Sequence, residues 1–182
     1  MWKQMLPGLR MTALMTVLTG LVYPGVVTAL CQVLFREQAN GSLVSLNGRV
    51  AGSALIGQSF TRPEYIHPRP AGSPNLGPTS RKLMDRVRTS VAQLRAENPT
   101  HTGPWPADLA TASASGLDPH LSPAAAAVQI ERVAQARGAS PAQVRQLVAR
   151  FTEPRDLGFL GEPRVNVLRA NRALDEQLPV RR

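Results

Sequence analysis

The chain has 182 residues and a mass of 19.6 kDa, which suits one soluble domain with an attached segment rather than two full domains. Its 21 Lys and Arg residues against 12 Asp and Glu give a net charge of +9, and 43% of the residues are hydrophobic, so it is not a disordered basic tail. A single cysteine excludes a disulfide framework and a thiolate zinc site. Three scattered histidines argue against a metal site built from histidine.

The first predicted element is an apolar segment from Met11 to Phe35 that carries no charge and follows a tail over residues 1–10. A helix of this length covers roughly 37 Å at about 1.5 Å per residue, which is enough to cross a bilayer. The sequence therefore predicts a transmembrane helix at residues 11–35 and a soluble domain at residues 36–182. A cleaved signal peptide ending near Ala29 is the alternative, and the continuation of the apolar run to Phe35 disfavours it.

Four residues in the middle of this segment are candidates for packing against other membrane helices. Pro24 removes one backbone donor and is expected to kink the helix. Small residues allow neighbouring helices to approach closely, and Pro and Gly are common in membrane spans. The predicted packing residues are Gly20, Tyr23, Pro24 and Gly25.

The charges beside the segment predict its orientation in the cell (inner) membrane. Lys3 and Arg10 precede the span, whereas Arg36 and Glu37 follow it and nearly cancel. Since basic residues favour the cytoplasmic side, the N-terminus is predicted to be cytoplasmic and the soluble domain external, in the periplasm.

The soluble domain begins with signals for turns and short strands. Asn40-Gly41 and Asn47-Gly48 predict turns, and the small apolar residues from Arg49 to Phe60 predict short strands. Gly52 and Gly57 are expected at bulges or close approaches of two backbones. The proline-rich residues 61–78 predict a loop.

Helical patterns dominate the rest of the chain. A helix is predicted from Thr79 or Ser80 to Glu97, and two more start at Ser122-Pro123, ending at Gly138, and at Ser140-Pro141. Alternating valines predict a strand over residues 164–169, and Asn171 is expected to cap a last helix. The order of elements predicts an α+β, or small α/β, soluble domain anchored by one N-terminal transmembrane helix.

Chemical motifs do not point to an enzyme. The sequence lacks a phosphate-binding GxxxxGK[ST] loop, a dinucleotide GxGxxG, an HExxH and a GxSxG. Ser115, Asp118 and His120 lie too close along the chain to form a triad, and a Gly-Leu-Asp-Pro turn explains them better. The residues alone thus predict either an accessory protein of other membrane helices or a basic adaptor that binds anionic lipid or an envelope polymer, without a transport role.

Several longer stretches resemble the C subunit of the Kdp potassium-transporting ATPase, a P-type ATPase complex. They follow one another in the family's order and cover nearly the whole chain. They are Tyr23-Pro24, Gln38–Leu43, Gly52–Phe60, His67–Pro70, Ser73–Thr79, Asp108–Ala124, Gln129–Gly138 and Leu157–Ala173. The segment from Arg69 to Pro74 is shorter than is usual in the family.

The resemblance implies an accessory, non-catalytic subunit of a high-affinity importer of potassium. The implied partners are a channel-like potassium-binding subunit, a P-type ATPase subunit and a small one-helix subunit, within the lipid bilayer and without nucleic acid. It also implies a catalytic chaperone that raises the affinity of the ATPase subunit for ATP, with Gln129 as the matching nucleotide-binding residue. ATP would be shared with the ATPase subunit, and the chain would have no cofactor or metal of its own.

Overall fold

The computed structural model describes residues 2–46, 48–72 and 75–180. Within the chain, residues 1–43 and 44–182 form two compact units. The predicted turn residue Asn47, and Ser73 and Pro74 of the shortened segment, lie outside the described residues.

The N-terminal unit is a long helix followed by one short helical turn. It comprises α1 (Trp2–Val17), a π-helical stretch (Leu18–Val22), α2 (Tyr23–Leu34) and α3 (Arg36–Ala39). The continuous helix from Trp2 to Leu34 is the one helix among the described residues that is long and apolar enough to cross a membrane. It begins nine residues before the predicted segment and ends one residue before Phe35. The membrane boundaries at 11 and 35 remain predictions.

The π-helical stretch explains how the helix accommodates Pro24. Proline has no N–H, and its ring clashes with the carbonyl four residues earlier, which here is that of Gly20. The preceding turn is widened, and the Tyr23 N–H donates to the Leu18 carbonyl, five residues back. Such single π turns keep a helix continuous where one regular hydrogen bond is lost. The helix is therefore widened in the turn before Pro24, and the expected kink stays a prediction.

The second unit starts with a two-stranded sheet and a long loop. Strands β1 (Leu43–Leu46) and β2 (Arg49–Ser53) pair, and Gly48 between them has a φ of +76°. Beyond Ser53 the predicted strand does not continue, since Ala54 and Leu55 form a turn and residues 57–60 have no regular secondary structure. Gly57 confirms the expected close approach, since its N–H donates to the Leu117 carbonyl at 2.7 Å and an added Cβ would lie 2.8 Å from the Asp118 carbonyl oxygen.

Five of the predicted helix boundaries are confirmed: Ser80, Glu97, Ser122, Gly138 and Ser140. Helix α4 (Arg81–Glu97) has Ser80 at its N-cap, and a short α5 (Ala107–Ala110) follows. Ser122 accepts from the Ala125 N–H, Gly138 is the left-handed C-cap, and Ser140 forms a capping box with Gln143. The helix expected from Pro123 to Gly138 is interrupted at Gln129, which separates α6 (Pro123–Val128) from α7 (Ile130–Arg137). Helix α8 (Pro141–Arg150) follows.

The last predicted strand and helix need a correction. Strand β5 covers only Arg164–Asn166, and α9 (Val167–Gln177) starts directly after it, with Asn166 rather than Asn171 as the cap. Asn166 accepts from the Arg169 N–H at 3.1 Å, which ends the strand and satisfies a free donor of the first helical turn. The expected capping residue Asn171 lies inside the helix and is buried.

A small antiparallel sheet and its helices enclose the main core. The sheet has the order β3-β5-β4, with β3 at His120–Leu121 and β4 at Thr152–Glu153. Buried side chains from α6 to α9 pack around Val165 of the central strand. The most completely buried of its larger apolar side chains are Ile66, Leu121, Val133, Val144, Val165, Val167 and Leu174. The α+β class predicted from the sequence is confirmed.

A half-buried phenol near the core, that of Tyr65, makes the stability of the fold depend on pH in the alkaline range. Burial, and next the hydrogen bond to Asp175, raise the pKa of Tyr65 above its ordinary value of 10.0, although the nearby Arg62 opposes this. The phenol donates to Asp175 at 3.0 Å, which only the protonated form can do. A raised pKa stabilises the fold below pH 10, and this contribution is lost as the pH rises through the folded-state pKa.

We therefore expect the denaturant midpoint of the wild-type chain to fall more steeply above pH 10 than that of Tyr65→Phe. Chemical unfolding in detergent at several pH values measures this difference, with Tyr23→Phe as a matched control that keeps the wild-type slope. Equal slopes for wild type and Tyr65→Phe would contradict the assignment to Tyr65.

Candidate functional site

Gln129 lies at the junction of α6 and α7 and is 1% exposed. Its backbone (φ −90°, ψ −7°) departs slightly from regular helix, and its N–H donates to the Ala126 carbonyl, three residues back. The buried alanines of α6 leave room for the side chain to turn inward. The helix break therefore delivers a polar amide into the interior.

The Gln129 amide holds the backbone of His67 at two points. Its Oε1 accepts from the His67 N–H at 2.8 Å, and its Nε2 donates to the His67 carbonyl at 3.1 Å. Oε1 also accepts from Arg132 at 2.7 Å, and Nε2 also donates to the Ala125 carbonyl at 3.3 Å. An amide has two donor and two acceptor positions, so all four are occupied.

Asn171 makes the same contact with the preceding residue of the loop. Its Oδ1 accepts from the Ile66 N–H at 2.8 Å, and its Nδ2 donates to the Ile66 carbonyl at 2.9 Å. Two consecutive residues of a proline-rich loop thus each form two backbone hydrogen bonds, one through the N–H and one through the carbonyl, to a buried side-chain amide. A neighbouring β-strand would satisfy backbone groups in a similar way. We call this pair, Gln129 and Asn171, the amide clamp. It gives a loop without secondary structure a defined position.

Charged and polar groups surround the His67 ring. Nδ1 lies 3.1 Å from Glu97 Oε2, and Nε2 lies 3.0 Å from the Arg62 carbonyl. The Arg132 guanidinium donates to the carbonyls of Pro63 and Tyr65. Burial lowers the pKa of Arg132 from its ordinary value, and the charge of Glu97 partly offsets this. These contacts tie the loop to the end of α4 and to α7.

A cleft of about 490 Å³ opens beside the clamped loop. Residues 57–61, 67–71 and 116–118 line it, together with Leu109, Ser113 and one side of α4. Arg69 lines the cleft and donates to Asp118 and to the Ala112 carbonyl, at 3.2 Å each. Its buried Nε has no hydrogen-bond partner among the described residues. Polar side chains such as Gln58 and Gln93 make the lining mixed, with both donors and acceptors.

The side chains of Ser115, Asp118 and His120 are not joined in one continuous chain of hydrogen bonds. Ser115 accepts from the Leu117 N–H, and Asp118 accepts from the His120 N–H, as in ordinary turns. Among the described residues, no hydrogen bond joins Ser115 to His120, and no group of three His, Cys, Asp or Glu side chains could hold a metal ion.

The four predicted packing residues lie on the long N-terminal helix. Added Cβ atoms at Gly20 and Gly25 would meet nothing within 4 Å, and Tyr23 is exposed. Gly20 falls within the π-helical stretch that precedes Pro24. The surface around these residues is therefore open to a neighbouring helix, and packing there stays a prediction.

Comparison with known proteins decides the family. The model of the family described as "KdpC: K+-transporting ATPase, c chain" matches residues 5–176, which include both the long helix and the α+β unit. The chain belongs to this family. The predicted resemblance to the C subunit is confirmed.

Curated relatives in the K+-transporting ATPase c-chain family are similar along their whole length. The chain is 50% identical to the "Potassium-transporting ATPase KdpC subunit" of Koribacter versatilis, covering 99% of this chain and 98% of the relative. It is 51% identical to the protein of the same name from Rhodospirillum rubrum, covering 99% of both chains. A third, from Sorangium cellulosum, is 52% identical over 93% of this chain and 95% of the relative.

Of the buried polar residues that hold the loop, the resemblance indicated Gln129 alone. Asn171 was expected to be a cap, and Arg132 and Arg137 were not considered for a special role. Their polar partners lie far away in the chain: Asn171 binds a residue 105 positions away, and Gln129 one 62 positions away. Because these partners are distant in the chain, no local pattern in the sequence indicated them.

Proposed function

We propose that this chain is the accessory, non-catalytic subunit of a potassium-transporting ATPase complex and that it is required for assembly of the complex. The family match over residues 5–176 carries the proposal, because it includes the apolar helix and the α+β unit together. The single helix would anchor the subunit beside the membrane helices of its partners. The partners are a channel-like potassium-binding subunit, a P-type ATPase subunit and a small one-helix subunit.

In this proposal the soluble unit lies outside the cytoplasm. The charge balance on the two sides of the helix supports this orientation, since Lys3 and Arg10 precede the span and no comparable excess of basic residues follows it directly. An external domain is placed to act on assembly and on the access of potassium to its pathway. ATP, which is cytoplasmic, would then be out of its reach.

The second candidate role, raising the ATP affinity of the ATPase subunit, depends on Gln129. Its amide is fully engaged with His67, Arg132 and Ala125, so direct contact with a nucleotide would first require those hydrogen bonds to break. We therefore propose that any effect of Gln129 on ATP affinity passes through the position of the His67 loop. The basic adaptor that binds anionic lipid or polymer remains the alternative from another functional class.

Labelling of an engineered cysteine in the whole complex tests the proposed orientation. Gln146 is exposed on α8, so Gln146→Cys in a Cys31→Ser background gives a single reactive thiol. We expect a membrane-impermeant maleimide to label this thiol in spheroplasts without lysis. Labelling only after lysis would contradict the external orientation and would favour the ATP role.

Removal of the chain tests the accessory role itself. We expect cells that lack it to lose assembled complex and potassium uptake, whereas an adaptor without a transport role predicts normal uptake. Full-length chain restores uptake in the same cells as the control.

A further inference from the structure

A short hairpin tip, residues 156–160 between β4 and β5, presents large apolar side chains to solvent. Leu157 is 82% exposed and Phe159 is 69% exposed, and Leu160 beside them is also exposed. Neither the helix span nor the amide clamp includes these residues. Exposed single apolar side chains are common on proteins, but three within four residues form a patch that calls for a partner.

The backbone of the hairpin tip is strained at its most exposed residue. Leu157 has a φ of +53°, a left-handed conformation that a leucine adopts only at a cost, and that Gly or Asn would adopt readily. Gly158 and Gly161, which follow, also have positive φ values. Strained non-glycine residues cluster at binding sites, where the strain holds a side chain in a required position.

The tip is also held rigidly. The Asp156 and Leu160 backbones exchange two hydrogen bonds of 2.9 Å each, and Arg164 of β5 donates to both carboxylate oxygens of Asp156, at 3.2 and 3.3 Å. Arg164 donates as well to Glu153 of β4, at 3.0 Å. The Asp156 pKa is lowered by the hydrogen bonds and charge of Arg164. An apolar anchor on a preorganised loop loses little conformational entropy when it binds.

We propose that the hairpin tip inserts Leu157 and Phe159 into an apolar pocket on another subunit of the ATPase complex. Anchors of this kind, surrounded by a polar rim, supply much of the binding energy of protein interfaces. The inference rests on the proposed function only in taking the chain to be one subunit of that complex.

The charges around the tip favour a protein pocket over a lipid surface. Residues 153–164 carry three acidic and two basic side chains, so they offer no net positive charge to anionic headgroups. Contact between two tips of identical chains is also disfavoured. Three exposed side chains from each copy would bury much less surface than the roughly 1,200–2,000 Å² that stable interfaces bury. A pocket on another protein can instead surround the tip fully.

The double variant Leu157→Asn/Phe159→Asn in the co-expressed complex tests the docking. We expect recovery of the other subunits with the tagged variant chain to fall at least tenfold. Because Asn accepts the left-handed conformation, the unfolding midpoint of the variant chain alone should be unchanged or higher than that of wild type. Met84→Gln, which replaces an exposed apolar residue on α4, is the matched control and should recover the complex normally. Recovery of the tip variant within twofold of the control would overturn the proposal.

Photo-crosslinking identifies what covers the tip. Photoreactive p-benzoylphenylalanine is incorporated in place of Phe159 during co-expression, which keeps an apolar aromatic side chain at the tip, and the assembled complex is irradiated. An adduct with another subunit of the complex is expected. An adduct with a second copy of this chain, with lipid alone, or with nothing would overturn the proposal.

If the tip variants assemble normally but removal of the chain abolishes assembly, the docking inference fails while the accessory role stands. If removal changes nothing, the accessory role fails.

Discussion

Gln129→Ala is expected to lower the free energy of unfolding by about 3–5 kcal/mol. The substitution leaves the half-buried N–H and carbonyl of His67 without this partner, and each group left unsatisfied costs roughly 1–3 kcal/mol. Arg132 loses a 2.7 Å hydrogen bond in the same step. Equilibrium unfolding of the detergent-solubilised chain by denaturant measures the change.

Two matched variants separate the hydrogen bonds of Gln129 from its volume. Gln129→Met keeps most of the volume and removes the amide, so it should be nearly as destabilising as Gln129→Ala. Gln135→Ala, an exposed glutamine on the same stretch of helix, should change the stability by less than about 0.5 kcal/mol. If Gln129→Ala and Gln129→Met unfold at the midpoint of Gln135→Ala, the two-point contact with His67 contributes nothing.

The same variant examines the proposed nucleotide role. If the second candidate role holds, Gln129→Ala in complexes that assemble should raise the ATP concentration for half-maximal hydrolysis by about tenfold at most, because the displaced His67 loop would lose on the order of one hydrogen bond, worth about 0.5–1.5 kcal/mol, to the ATPase subunit. Potassium affinity should not change. An assembled complex with the ATP dependence of wild type would remove Gln129 from the nucleotide hypothesis.

Arg137→Ala is expected to be at least as destabilising, by about 3–5 kcal/mol, because it leaves two backbone carbonyls and the Asp175 carboxylate without their donor, at roughly 1–3 kcal/mol for each unsatisfied group. The Arg137 side chain is 0% exposed and pairs with Asp175 at 2.9 Å. It also donates to the carbonyls of Glu64 and Leu178, at 2.7 and 2.8 Å, and its guanidinium lies 5.1 Å from the Tyr65 ring centre. It therefore connects the loop before the amide clamp with the end of α9.

Arg137→Lys should recover only part of this loss, because an ammonium keeps the charge but cannot reach three partners with the geometry of a guanidinium. Arg145→Ala, an exposed arginine on α8, is the control and should leave stability nearly unchanged. Limited proteolysis provides a second measurement, since release of Leu178 should expose the C-terminal segment in Arg137→Ala. Stability of Arg137→Ala equal to that of Arg145→Ala would show that the network does not hold this segment.

Local signals predicted much of the helical architecture. Ser80, Ser122, Ser140 and Gly138 mark helix ends where the sequence placed them, because capping depends on a side chain and a backbone within a few residues. The long apolar helix and the α+β class follow from composition and periodicity in the same way. The motifs along the chain were specific enough to identify the family.

Local signals failed where a distant contact competed with them. The alternating valines after Arg164 predicted a strand through Arg169, but Asn166 caps a helix whose buried face is Val167, Ala170, Asn171 and Leu174. Both patterns place valine on a buried side, so periodicity over six residues could not separate them. The packing of α9 against the core decided the outcome.

The sequence by itself determined the apolar N-terminal helix, the capped helices that follow and the family, since each depends on residues close together in the chain or on motifs in a set order. The tertiary structure alone decided the roles of Gln129, Asn171 and Arg137. An exposed glutamine and a buried one have the same local signature, and their partners in the loop lie 62 and more positions away. Buried polar groups must find hydrogen bonds wherever the fold provides them, and only the folded chain shows which backbone groups need them.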